Sequence, residues 1–325
     1  MNSRRLFELS AISTAALLAA CHAEPARKPP TELTIATGSR DGIYYQFGSA
    51  LAATYNRLPA VNVVAEIRNP TGNLEGDNLE AIEKGTADLA LAGAGYAYQA
   101  YKQGTEFDNH PHTKLRAISV LFSTSIHIAA RRDSGIRRVE DFRGKRIAVG
   151  GPGGPTDEAS RLILKIHGIK QDDIVPVHRS GRDLIKGVRD RSIDGFFVYS
   201  PLGPAVLNEL SASGEIELLP IERKKIVDIQ ARSPFLLRTV VIPAGTYAGQ
   251  PAEIATVGAD ILLICRQDLP ERLVLDLTRA LYAAVSELSE AHPVAAEIDP
   301  DRGPLASIPL HPGAARYYRE RELLR

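Results

Sequence analysis

The order of apolar runs constrains the fold more than any other feature of this chain: short β-type runs alternate with helical stripes, twice over. Residues 33–37 are a β run that ends at Gly38. Ile43, Phe47, Leu51 and Tyr55 follow at four-residue spacing and mark one helical stripe. A strand is then predicted over 61–67, a helix over 74–84 stopped by Gly85, a strand over 89–92 and a helix over about 95–102. Such alternation predicts a parallel sheet with helices on its faces.

Two apolar strands in direct succession, 115–122 and 126–131, predict a crossing from one body to a second. A second alternating series follows, with strands over 146–149, 175–178, 195–199 and 216–221 and helices over 156–167, 183–191 and 204–213. Residues 222–250 are less regular. A strand over 256–265 returns to the first series, and Pro270 is expected to open one long helix reaching Leu288, with proline at its first position. The expectation is an α/β protein of the type II periplasmic-binding-protein fold, with two α/β lobes and a central ligand cleft. Residues 32–122 would form the first part of lobe I, 123–255 lobe II, and 256–325 the return to lobe I with the C-terminal helices. In open α/β sheets ligands sit at C-terminal strand ends beside helix N-termini, which places the cleft between the lobes.

The N-terminus points to export. Arg4 and Arg5 precede a run of small and apolar residues over 9–20, too short to span a bilayer. It ends Leu18-Ala19-Ala20-Cys21, which resembles the lipobox of bacterial lipoproteins, where the cysteine is acylated. Residues 1–21 are therefore read as a lipoprotein signal peptide and 22–31 (HAEPARKPPT) as a tether. Ser3-Arg4-Arg5-Leu6-Phe7 also looks like a twin-arginine signal, which leaves the export route open. The other cysteine, Cys265, ends an apolar run and is expected to be a buried strand thiol; no disulfide is expected. Removing the first 21 residues removes Arg4, Arg5 and Glu8 and leaves 37 basic and 38 acidic residues. That balance, with no Trp and 6% aromatics, argues against a nucleic-acid partner.

Enzyme signatures for phosphate-loop, nucleophile-elbow or zinc chemistry are missing. His110 and His112 read as a solvated loop rather than metal ligands, and Asp172, Asp173 and Asp194 as caps and turn formers. No catalytic residue, metal or cofactor is expected. Two glycine-rich βα turns stand out instead: 37–42 (TGSRDG) and 150–156 (GGPGGPT). Each offers backbone N–H groups at a helix start, an arrangement that holds anions. Tyr44 and Tyr45 follow the first turn, where they could stack on a ligand or pack as plain turn residues. Arg40, in that turn, is the candidate to pair with a ligand carboxylate.

These residues resemble the TAXI family of TRAP-transporter solute receptors. The family shows TGGTGGTYYP where this chain has TGSRDGIYYQ over 37–46, and GxPGSGT where it has GGPGGPT over 150–156. Further matches are DGFF at 194–197, IPAGTYAGQ at 242–250 and PLHPGA at 309–314 with Tyr317-Tyr318. The resemblance, which covers residues 32 to about 320, implies capture of a small anionic solute, glutamate-like or dicarboxylate, and delivery to TRAP permease subunits by a lipid-anchored periplasmic receptor. It carries binding roles to Thr37, Gly38, Tyr44 and Tyr45, to Gly153 and Thr156 in the second lobe, and to Asn78. Gly93-Ala94-Gly95 stands where the family has Gln-Ser-Asp, so the solute could be atypical. An orphan lipoprotein that signals, or an enzyme on the same fold, are the alternative readings.

Overall fold

The computed structural model describes residues 31–38, 40, 42–68, 74–105, 108–152, 154–232 and 237–324. Cys21, most of the expected tether and Gly153 lie outside them.

The first series runs β1 (Thr31–Thr37), α1 (Ile43–Tyr55), β2 (Val61–Ile67), α2 (Leu74–Glu83), β3 (Leu89–Gly93) and α3 (Ala94–Gln103). The two expected crossing strands are one, β4 (Leu115–Arg131), whose 17 residues span about 55 Å at strand rise. Thr124 and Ser125 are polar but buried, so the polar interruption that split this strand in the sequence does not break its ladder. The second series is β5 (Arg146–Ala148), α4 (Pro155–Ile166), β6 (Val175–Val177), α5 (Gly181–Arg189), β7 (Gly195–Ser200), α6 (Ala205–Ala212) and β8 (Ile216–Leu218). The irregular stretch contains α7 (Arg223–Arg232) and β9 (Arg238–Ile242). β10 (Ile254–Arg266) returns, followed by α8 (Glu271–Ala283), α9 (Val285–Ala291) and α10 (Pro312–Arg319). The long helix expected after Pro270 is thus two helices. Pro270 is the N-cap rather than the first helical residue, and the break falls at Ala284, with φ −101° and ψ 6°.

Among the described residues the ten strands form one sheet in the order β2-β1-β3-β10-β4-β7-β5-β6, with β8 on β4 and β9 on β10. Four apolar clusters cover it. On one side of lobe I, Phe47, Leu51 and Tyr55 of α1 meet Val274, Leu277 and Leu281 of α8; on the other, Leu79 and Ile82 of α2 meet Ala97 and Ala100 of α3. In lobe II, Ile163 and Leu164 of α4 pack with Ile226 and Ile229 of α7 on one face, and Leu184 and Val188 of α5 with Leu207 and Leu210 of α6 on the other. β4 and β10 contribute to clusters in both lobes, which makes them the two strands that join the lobes.

Candidate ligand cleft

Strand directions put the site in place. β1, β2 and β3 are mutually parallel, and β10 runs against both β3 and β4. β4 therefore leaves lobe I in the direction of β1–β3. β7 runs against β4, and β5 and β6 run with β7. The C-terminal ends of β1 and β3 consequently face those of β5 and β7 across the level of Ser125, which pairs with both Gly258 and Ser200.

Three helices open at this level. α1, α3 and α4 have Gly42, Gly93 and Gly154 at their N-caps, and none has a side-chain cap. Their first-turn N–H groups lack helical partners and carry the positive end of the helix dipole. α1 and α3 also have no acidic residue in the first turn, whereas α4 has Asp157 and Glu158. Gly150 has φ +83° and its added Cβ would lie 2.7 Å from Thr156 Cβ, so the second turn requires glycine there.

The expected site residues divide. Tyr44 is buried, and its hydroxyl donates to Glu75 Oε1 at 2.7 Å. Gly38 is backed by Leu74, 2.9 Å from where a Cβ would stand. Arg40 is exposed and lies over the Tyr45 ring, 5.3 Å from its centroid, while its guanidinium donates to the Tyr45 hydroxyl at 3.2 Å. Thr37 is fully buried and donates to the Glu66 carbonyl at 2.7 Å; Asn78, also fully buried, donates to the Leu91 carbonyl at 3.0 Å. Thr156 Oγ1 accepts from the Tyr199 N–H at 3.2 Å and so ties α4 to the end of β7. Thr37 and Thr156 thus hold strand ends, Asn78 holds the middle of β3, and Tyr44 reaches Glu75.

What the sequence reading missed is a cluster of carboxylates and phenols. Glu75 is 2% exposed, and its second oxygen accepts the Gly93 N–H at 2.8 Å. Burial pushes its carboxyl up to about 7, against the pull of its bonds to Tyr44 and Gly93, with a further push from nearby Glu158. Tyr96 of α3 donates to Glu158 of α4. Burial, then Glu158, holds the Tyr96 phenol far above its ordinary range. Tyr199 is half-buried beside Thr124, and its phenol is also raised, first by burial. Arg68, at the end of β2, pairs with Glu66 at 2.5 Å. A lone glutamate in a helix's first turn is too common to signal any of this.

The most specific sequence motifs are structural. Tyr247 bonds His127 Nε2 at 2.8 Å and accepts the Gly203 N–H at 3.0 Å, while Gln250 bonds the carbonyls of Pro243 and Ala252 at 2.9 Å each. Burial holds His127 down at about 4, so this brace uses neutral imidazole. At Gly313 a Cβ would meet the Glu271 carbonyl oxygen at 2.3 Å, so glycine lets α10 sit against α8. Asp194 takes a two-pronged bond from Arg146, at 2.9 and 2.7 Å, which ties β7 to β5. Cys265 is buried as expected. His112 is fully buried rather than solvated, since its N–H is tied to the Ala100 carbonyl at 2.8 Å; His110 is exposed. No group of three or more metal-ligating side chains occurs among the described residues.

The chain has the fold of the two-lobed periplasmic binding proteins. It is similar to MatC from Rhodopseudomonas palustris, solved with bound malate, at 15% identity and a TM-score of 0.52, over 91% of this chain and 100% of that one. It is also similar to the periplasmic aliphatic sulphonate binding protein SsuA from Escherichia coli, at 15% identity and a TM-score of 0.45, over 91% and 94% of the two chains. The NMT1-like family matches residues 35–321, and the chain belongs to that family.

Proposed function

We propose that the chain is an extracytoplasmic solute-binding receptor that captures a small solute between its lobes and delivers it to membrane transport subunits. The observation that carries this reading is the facing of the strand ends, with three glycine-capped helix N-termini converging on one level. One solute carboxylate could meet donors of α1 or α3 there, with Arg40 and Arg68 at the rim and Tyr44 and Tyr45 beside it. The TAXI-type motifs refine the proposal to a TRAP transporter. Glu75 and Glu158 at the same level favour an amino acid over a dicarboxylate, because an ammonium group would offset their charge.

A thermal-shift screen of amino acids and dicarboxylates tests the reading. A solute at a hundred times its Kd adds about 2.7 kcal/mol of stability, a shift of roughly 5 °C for a chain of this size. If no small carboxylate raises the transition, the proposal fails for that class. Binding without turnover is part of the proposal, so the bound solute should be recovered unchanged.

Anchoring is a separate proposal. Among the described residues no helix is long and apolar enough to cross a membrane; the Leu18-Ala19-Ala20-Cys21 sequence supplies the attachment instead. Cys21→Ser is expected to move the protein from the membrane to the soluble fraction. Unchanged fractionation would show that Cys21 carries no lipid.

A further inference from the structure

Tyr96 and Glu158 belong to different lobes. Tyr96 is in the first turn of α3 and packs against the lobe I cluster that holds Ala97 and Ala100. Glu158 is in the first turn of α4, next to Ala159 of the lobe II cluster. Their side chains meet across the cleft, the phenol donating to the carboxylate. Both are partly buried. Glu75, bonded to Tyr44 in lobe I, and Tyr199 of lobe II lie near enough to raise the Tyr96 phenol. A hydrogen bond to a charged acceptor in such a place is stronger than one between neutral groups.

We propose that the Tyr96–Glu158 hydrogen bond is an interlobe latch: it joins the lobes through protein atoms alone, and a solute enters only when it opens. The bond spans the gap between the starts of α3 and α4, which lobe separation would widen. β4 and β10 are continuous through both lobes, with a register shift between Asp260 and Leu262, whereas Tyr96 and Glu158 sit on helices anchored in separate cores. Closure therefore has an intrinsic component, which a solute adds to rather than creates. This inference rests on the two-lobed fold and not on the nature of the solute.

The test uses the whole exported chain, freed of solute by reversible unfolding and checked by native mass spectrometry. Small-angle scattering compares wild type with Tyr96→Phe, Glu158→Ala and the double variant. Tyr96→Phe keeps the ring and removes only the donor, so the thermal transition reports whether the fold is retained. Losing a charge-assisted bond should lower the closed-to-open ratio by roughly tenfold or more. The expected result is a larger radius of gyration in each single variant and no further increase in the double variant, since Tyr96→Phe removes the donor and Glu158→Ala the acceptor of the same bond. A folded Tyr96→Phe or Glu158→Ala with the wild-type radius overturns the latch. So does a double variant whose expansion is the sum of the singles.

Discussion

Gly258→Ala is expected to cost about 3 kcal/mol or more of stability. Gly258 lies on β10 between Ser125 of β4 and Arg238 of β9. A Cβ there would lie 1.9 Å from the Thr124 carbonyl oxygen and 2.9 Å from Val240 Cγ2. The first clash is with backbone, so no rotamer change relieves it, and β10 would have to move away from β4. These two strands join the lobes, so the damage would reach both. The urea midpoint measures it, with Gly151→Ala as the comparison: an added Cβ at Gly151 meets nothing within 4 Å, and a surface change of that kind costs within about 0.5 kcal/mol. Equal midpoints for the two variants would show that β4 and β10 have slack where they cross.

Glu75→Gln is expected to stabilise the protein at pH 8 and to leave it unchanged at pH 4.5. The folded carboxyl titrates at about 7, against an ordinary value of 4.5. Between those values the folded state holds a proton that the unfolded state has lost, so stability falls as pH rises through this window. Above pH 7 the full cost of burying the charge is present, about 3 kcal/mol. Glutamine is uncharged and of the same shape. It can still accept the Gly93 N–H while its amide donates to the Tyr44 oxygen, so both contacts persist. Thermal melts of the two proteins from pH 4.5 to 8 check this. Parallel pH profiles would mean that Glu75 remains ionised inside the fold.

The two proposals about the cleft bear on each other. Glu75 stands behind the Tyr96–Glu158 bond and pushes against Glu158. Removing its charge should therefore not weaken the latch. Scattering of Glu75→Gln then serves as a control in which the cluster changes and the interlobe bond does not.

The sequence by itself determined the two series of strands and helices, the two glycine-rich turns and the presence of strands that cross between lobes. Those are local signals: Phe47, Leu51 and Tyr55 repeat at helical spacing and all three are fully buried, because one helix face has to leave water whatever lies opposite. Position along the chain was also enough to put Gly42 and Gly154 at helix starts. The tertiary structure decided what those turns surround. Glu75 becomes a buried, raised carboxyl only because Tyr44, 31 positions before it, and Gly93, 18 positions after it, converge on it. Tyr96 meets Glu158 over 62 positions. Nothing in the spacing encodes either meeting. The same holds for the motifs: Tyr247 and Gly313 stood out in the sequence as family marks, and only packing shows that one braces His127 and the other lets α10 close on α8. A side chain's residue type is local, but its burial, and with it its charge state and partner, is set by whichever elements the fold brings against it.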